Sequence, residues 1–144
     1  MPGPLFDCYV LAPERTADWA ERFLDEFLPE RTPSFEESDP SEVLGLPKGI
    51  TITELFRFLE EHPQTDYRMY WQHTACIEPY HAHLAFNPDG SLVLGLSPYT
   101  DDHLDKARHY LRRMEAFAGT GPGLLFCEEP APGTREDFRN AIGE

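Results

Sequence analysis

Apolar positions along the chain change period several times, and each change marks an element. Residues 5–11 (LFDCYVL) are aromatic and β-branched and predict a strand that ends at Pro13. From Thr16 to Leu28 the period is helical. Ala20, Phe23, Leu24, Phe27 and Leu28 form one stripe, with Asp18, Glu21, Arg22, Asp25 and Glu26 facing out, and Pro29 stops the helix. Thr51-Ile-Thr-Glu54 is a capping box opening a helix to about His62, with Ile52, Leu55, Phe56 and Leu59 at helical spacing. Tyr67 to Glu78 is rich in strand formers. His81 to Phe86 and Ser91 to Leu96 read as strands joined by Asn87-Pro88-Asp89-Gly90, a type I turn by its residue chemistry. Thr100 to Ala118 is the longest predicted helix. Thr100 caps it, Asp101 and Asp102 suit its dipole, and Leu104, Ala107, Leu111, Met114 and Ala118 form its stripe. Leu124 to Cys127 is a last strand, and Thr134 caps a helix to about Ile142.

These elements predict an α+β fold: a mainly antiparallel sheet of about five strands, helices packed on one side, and a single domain over 1–144. The stretch 29–50 breaks the pattern. It carries Pro29, Pro33, Pro40 and Pro47, and Glu30, Glu36, Glu37, Asp39 and Glu42 against Arg31 and Lys48. Asp39-Pro40 and the residues up to Gly45 suit one helical turn; the rest reads as an acidic, proline-rich loop. Loops of this length are usually functional or disordered.

Charge narrows the function. The 144 residues hold 12 basic and 26 acidic side chains, a net charge of −14. Such a chain is poorly suited to nucleic acid or to an anionic membrane surface, and it attracts a basic protein partner. Residues 1–66 hold 5 basic and 15 acidic residues; residues 67–144 hold 7 and 11. No apolar run is long enough to span a bilayer, and the first residues do not resemble a secretory signal, so a cytoplasmic location is expected. Cys8, Cys76 and Cys127 are odd in number and form no C-x-x-C. Each lies in an apolar, strand-like stretch, which predicts buried, reduced thiols. No cofactor is implied.

Candidate chemistry is sparse. His81 and His83 share a strand face, as a metal chelate needs, and Glu78 is near in sequence. A dioxygenase-type site would place a carboxylate three or four residues after the second His, where Phe86 and Asn87 stand. His73 and Cys76 are three apart on a predicted strand and so face opposite ways, unlike a thiol–imidazole dyad. Gly119-Thr-Gly-Pro-Gly123 runs from helix to strand, the reverse of a phosphate cradle. Glu60-Glu61 reads as a solvated helix face. The loop acids Glu36, Glu37, Asp39 and Glu42, interleaved with Phe35 and Leu44, suit recognition of a basic surface. Tyr70 and Trp71 have opposite parity on their strand. One belongs to the core, and the other is a surface aromatic suited to a binding hot spot.

Tyr70-Trp71, then Asn87-Pro-Asp-Gly-Ser-Leu-Val-Leu-Gly-Leu-Ser97, a helix, and Cys127-Glu-Glu-Pro-Ala-Pro before the Phe138 helix resemble the small acidic immunity proteins encoded beside bacterial polymorphic and contact-dependent toxins. The resemblance covers about residues 67–144. It implies a cytoplasmic, single-domain binding protein that blocks a cognate toxin domain, a basic one given the charge here. Phe35, Glu36, Glu37, Asp39, Glu42, Tyr70 and Trp71 are the expected contact residues. A small metal-dependent enzyme using His81, His83 and Glu78, and a regulatory protein-binding domain, are the competing readings.

Overall fold

A computed structural model of the chain describes residues 6–34, 40–75, 78–98, 104–127 and 129–143. The elements in order are β1 (Phe6–Leu11), α1 (Ala17–Phe27), β2 (Arg31–Ser34), α2 (Pro40–Val43) and α3 (Ile52–Glu61). Then follow β3 (Tyr67–His73), β4 (His81–Phe86), β5 (Leu92–Ser97), α4 (Leu104–Ala118), β6 (Leu124–Cys127) and α5 (Arg135–Ile142).

The six strands form one sheet in the order β2-β3-β4-β5-β1-β6, and every neighbouring pair is antiparallel. The α+β architecture is the expected one, with one strand more than the pattern predicted. The extra strand, β2, lies inside the stretch read as loop. Its sequence, Arg-Thr-Pro-Ser, has little strand propensity, and Pro33 is tolerated because β2 is an edge.

Three helices cover one face. Strand parity sends Cys8, Val10, Met69, Trp71, Leu84, Phe86, Leu94 and Leu96 to that face, where they meet Phe23, Leu24, Leu55, Phe56, Ala107 and Met114. Phe56 of α3 lies against Trp71 and Phe86, and Phe117 of α4 against Trp19, Phe23 and Phe27 of α1. The fourth long helix, α5, packs on the opposite face through Phe138, against Tyr9, Leu11, Ala85, Val93 and Leu124. The helices are thus not all on one side. On the α5 face Tyr9, Leu11, Ala85, Val93 and Leu124 form an apolar patch, so this part of the sheet also needs a cover.

Local signals set the helix ends. Thr16 caps α1, Thr134 caps α5, and Thr51 and Glu54 form the reciprocal capping box of α3. Glu60, expected on a solvated face, accepts a hydrogen bond from the Ala17 N–H at 2.9 Å and so ties α3 to the first turn of α1. The 40–43 helical turn forms as expected. Thr100, Asp101, Asp102 and the cap Asp39 lie outside the described residues.

Arg15 anchors the layers. It is nearly buried and donates to the carbonyls of Leu59, His62, Thr65 and Asn87 while its guanidinium lies over the Phe86 ring. The β4–β5 turn closes with Gly90 N–H donating to Asn87 O at 3.1 Å and with Gly90 at φ +87°. Asn87 Nδ2 also reaches Pro132 O, and Asp89 Oδ2 accepts from Arg135 N–H, so this hairpin tip holds the start of α5.

Candidate functional site

The face opposite the α1, α3 and α4 layer is only partly covered. α5 shields its β1–β6 end, and the β2-β3-β4 end carries polar side chains. Parity places Arg68, Tyr70 and Gln72 of β3, His81, His83 and Ala85 of β4, Gly95 and Ser97 of β5, and Asp7 and Tyr9 of β1 on this face. A cleft of about 290 Å³ opens there, lined by Asp7, Tyr9, Arg68, Tyr70, His83 and the 129–131 segment.

A buried polar chain forms the cleft floor. Ser97 O–H donates to Asp7 Oδ1 at 2.5 Å, and Ser97 Oγ lies 2.9 Å from His83 Nε2. A carboxylate only accepts, so the Ser97 proton points to Asp7, and Ser97 Oγ accepts from His83 Nε2–H. That assignment fixes the tautomer and leaves a lone pair on Nδ1. Burial, helped by His81 and Arg68, pushes the His83 pKa down to about 4, so the ring is neutral at physiological pH. Burial also lowers the pKa of His81. The order Asp–Ser–His is not that of a hydrolytic triad. Ser97 is 3% exposed and gives its proton to Asp7 rather than to an imidazole, so it is not placed as a nucleophile.

Aromatic rings form the walls. Tyr9 crosses β5 above Gly95 to meet the edge of His83, with ring centroids 6.0 Å apart, and its hydroxyl donates to Glu129 O at 2.7 Å. Burial, with the Asp7 charge next, raises the Tyr9 pKa, so the phenol stays protonated. Tyr70 lies 5.2 Å from His83 on the other side and is 43% exposed. Arg68 Nη2 donates to Ala131 O.

The expected contact residues divide. Tyr70 is the surface aromatic. Trp71, expected as a contact, is 2% exposed; its parity turns it into the core against Phe56, so it is no contact residue. Glu42 is exposed on α2. Phe35, Glu36, Glu37 and Asp39 lie outside the described residues. The β2–β3 register, however, sets Ser34, the residue before that acidic run, opposite Tyr70.

The metal candidates are engaged elsewhere. Among the described residues no three His, Cys, Asp or Glu side chains gather as a metal site. His83 Nε2 bonds Ser97, and a Glu78 oxygen lies 3.8 Å from Lys106 Nζ. His73 is buried and its Nδ1 accepts from Ala75 N–H, while Cys76 is outside the described residues. The cysteine expectation holds for Cys8, which is buried with its pKa pushed up to about 12 by burial and the Asp7 charge. It fails for Cys127, which is exposed at the end of the edge strand β6.

Asp7, Tyr9, Arg68, Ser97 and Gly95 were not singled out from sequence. One signal was available: a glycine inside the strand run 92–97 marks a close approach, and here the approaching group is the Tyr9 ring. Comparison of the chain with protein-family models, curated proteins and solved structures returns no match. Among the described residues no helix is long and apolar enough to cross a membrane.

Proposed function

We propose that this chain is an immunity-type inhibitor, which binds a cognate bacterial toxin domain of basic character and blocks it in the cytoplasm. One observation carries the reading. The Ser34–Tyr70 pairing sets the end of β2, which in sequence leads into the acidic 36–42 run, opposite the exposed aromatic of β3. Contact between an aromatic anchor and an acidic fringe is a common design for recognising a basic surface. Tyr70 rests against His83, so little side-chain freedom is lost when a partner covers it.

The charge layout supports the same direction. Helix α1 carries Asp18, Glu21, Asp25 and Glu26 against Arg22, and α3 carries Glu54, Glu60 and Glu61 against Arg57. Helix α4 is basic, with Lys106, Arg108, Arg112 and Arg113 against Asp105 and Glu115. The excess of acid on α1 and α3 lies in the helix layer opposite Tyr70; the net charge of −14 favours encounter with a basic domain without directing it to Tyr70.

Co-expression with the product of the gene immediately upstream tests this. The expected result is a 1:1 complex and protection of cells from that product. Reversing Glu36, Glu37 and Asp39 to Lys should slow association and reduce its salt dependence while leaving thermal stability unchanged. An upstream product that neither binds nor harms cells overturns the reading.

A further inference from the structure

We propose that the open edge of β6 is a docking site for an extended acidic segment of a partner protein, which adds to the six-stranded sheet as a further strand and sets alternate acidic side chains against Arg108 and Arg112. The site is separate from the Tyr70 face and does not depend on the reading above.

The two ends of the sheet are unlike. β2 closes one end with Arg31 and Pro33, and Pro33 has no N–H to offer a further strand. β6 closes the other with Leu124-Leu125-Phe126-Cys127, which holds neither a charge nor a proline. β1 takes one side of β6, and among the described residues no strand pairs with the other side. The outward N–H and C=O groups of such a strand are a template for β-augmentation.

Helix α4 supplies the charge. Cys8 Sγ donates to Ala107 O at 3.3 Å, Cys8 pairs with Leu125, and Glu115 Oε2 accepts from Gly123 N–H at 2.7 Å. The helix therefore runs along β6 in the opposite sense. Arg108, Arg112 and Glu115 share one flank by helical period, and the Glu115 bond sets that flank on the β6 side. The other flank faces α1, through Arg113 to Glu26 and Phe117 to Trp19 and Phe27. Arg108 and Arg112 are both exposed, and neither makes an ion pair or hydrogen bond with a described residue, although acidic side chains outnumber basic ones by 26 to 12. Like charges one turn apart weaken a helix, and an anionic partner turns that cost into a pairing.

The spacing fits a strand. Arg108 and Arg112 stand about 6 Å apart along the helix axis. Alternate residues of a strand stand about 6.7 Å apart and face the same way. A segment of the pattern acid-x-acid, paired with β6, meets both guanidiniums. Repulsion from the rest of the chain is screened beyond about 8 Å at physiological salt, so these short contacts decide. A basic segment gains the same backbone bonds but meets two like charges.

The test is an NMR titration of the ¹⁵N-labelled full chain at pH 7 and low salt with acetyl-Val-Glu-Val-Glu-Val-amide. Its controls are the peptide with Lys for Glu and the Glu peptide N-methylated along its backbone. Saturable shifts at Leu124 to Cys127 and along the Arg108 flank are expected with the Glu peptide and with neither control. The double variant Arg108→Gln, Arg112→Gln should weaken binding about ten-fold and leave thermal stability unchanged. No saturable shift with the Glu peptide overturns the proposal. An equal response to the N-methylated peptide also overturns it, since the attraction is then charge alone without strand pairing. So does an equal response to the Lys peptide. Shifts at β6 that grow with protein concentration and no peptide would give the edge to a second copy of the chain, again overturning it.

Discussion

The ring of Tyr9 occupies the space that a side chain at Gly95 would need. A Cβ at position 95 would sit 2.8 Å from Tyr9 Cε1 and 3.2 Å from His83 Cβ. Gly95→Ala must therefore push the Tyr9 ring off the strand and strain its hydrogen bond to Glu129 O. Overpacking of this kind costs about 1–3 kcal/mol, which denaturant unfolding would register. A second reading comes from NMR, where the 129–131 segment should shift with Tyr9. An unperturbed stability would show that the ring does not lie across β5.

Arg15 is the long-range tie of the fold, and its removal should be costly. Burial lowers its pKa, partly offset by Asp89 and Asp66, yet it stays charged and serves four carbonyls from α3, the following turn and the β4–β5 hairpin. Arg15→Met leaves those carbonyls without their donor and should lose roughly 3 kcal/mol or more. Arg15→Lys should recover only part of this, since an ammonium cannot span the fork of acceptors. Equal stability of Lys and Arg variants would contradict the fork geometry.

Acid should weaken the protein through His83. Its folded pKa of about 4 lies below the ordinary value of 6.5, so between these values the unfolded chain takes up a proton that the native chain refuses. Stability is accordingly undiminished above pH 6.5, falls as pH drops toward 4, and loses nothing further from this group below that. The size is on the order of 3 kcal/mol. His83→Gln, which keeps a donor for Ser97, should flatten this part of the pH–stability curve. Parallel curves for the two proteins would show that His83 titrates normally.

Tyr70 should separate binding from folding. It is exposed, so Tyr70→Ala should change stability by no more than about 0.5 kcal/mol. Loss of affinity for a captured partner by about 2 kcal/mol is expected for an aromatic anchor. Calorimetry of the complex, with unfolding of the free variant as control, distinguishes the two effects.

The parts legible in the sequence are those governed by neighbours in the chain. The Thr51–Glu54 capping box, the Thr134 cap, the Asn87–Gly90 turn and the helical stripes each depend on groups within a few residues, and all appear as the pattern predicts. Charge composition is likewise additive along the chain, so the excess of acid in residues 1–66 needed no structure to see.

The tertiary structure decided what depends on register and on partners far away. β2 has weak propensity of its own and exists because β3 supplies its hydrogen bonds. Strand alternation told that Tyr70 and Trp71 face opposite ways, but only the placement of α3 against one face made Trp71 core and left Tyr70 exposed. The Asp7–Ser97–His83 chain joins residues 90 and 14 positions apart, and its polar members look like ordinary outward-facing strand residues until three strands lie side by side. Sequence period measures which face a residue takes; it carries no term for which strand comes to lie next to it.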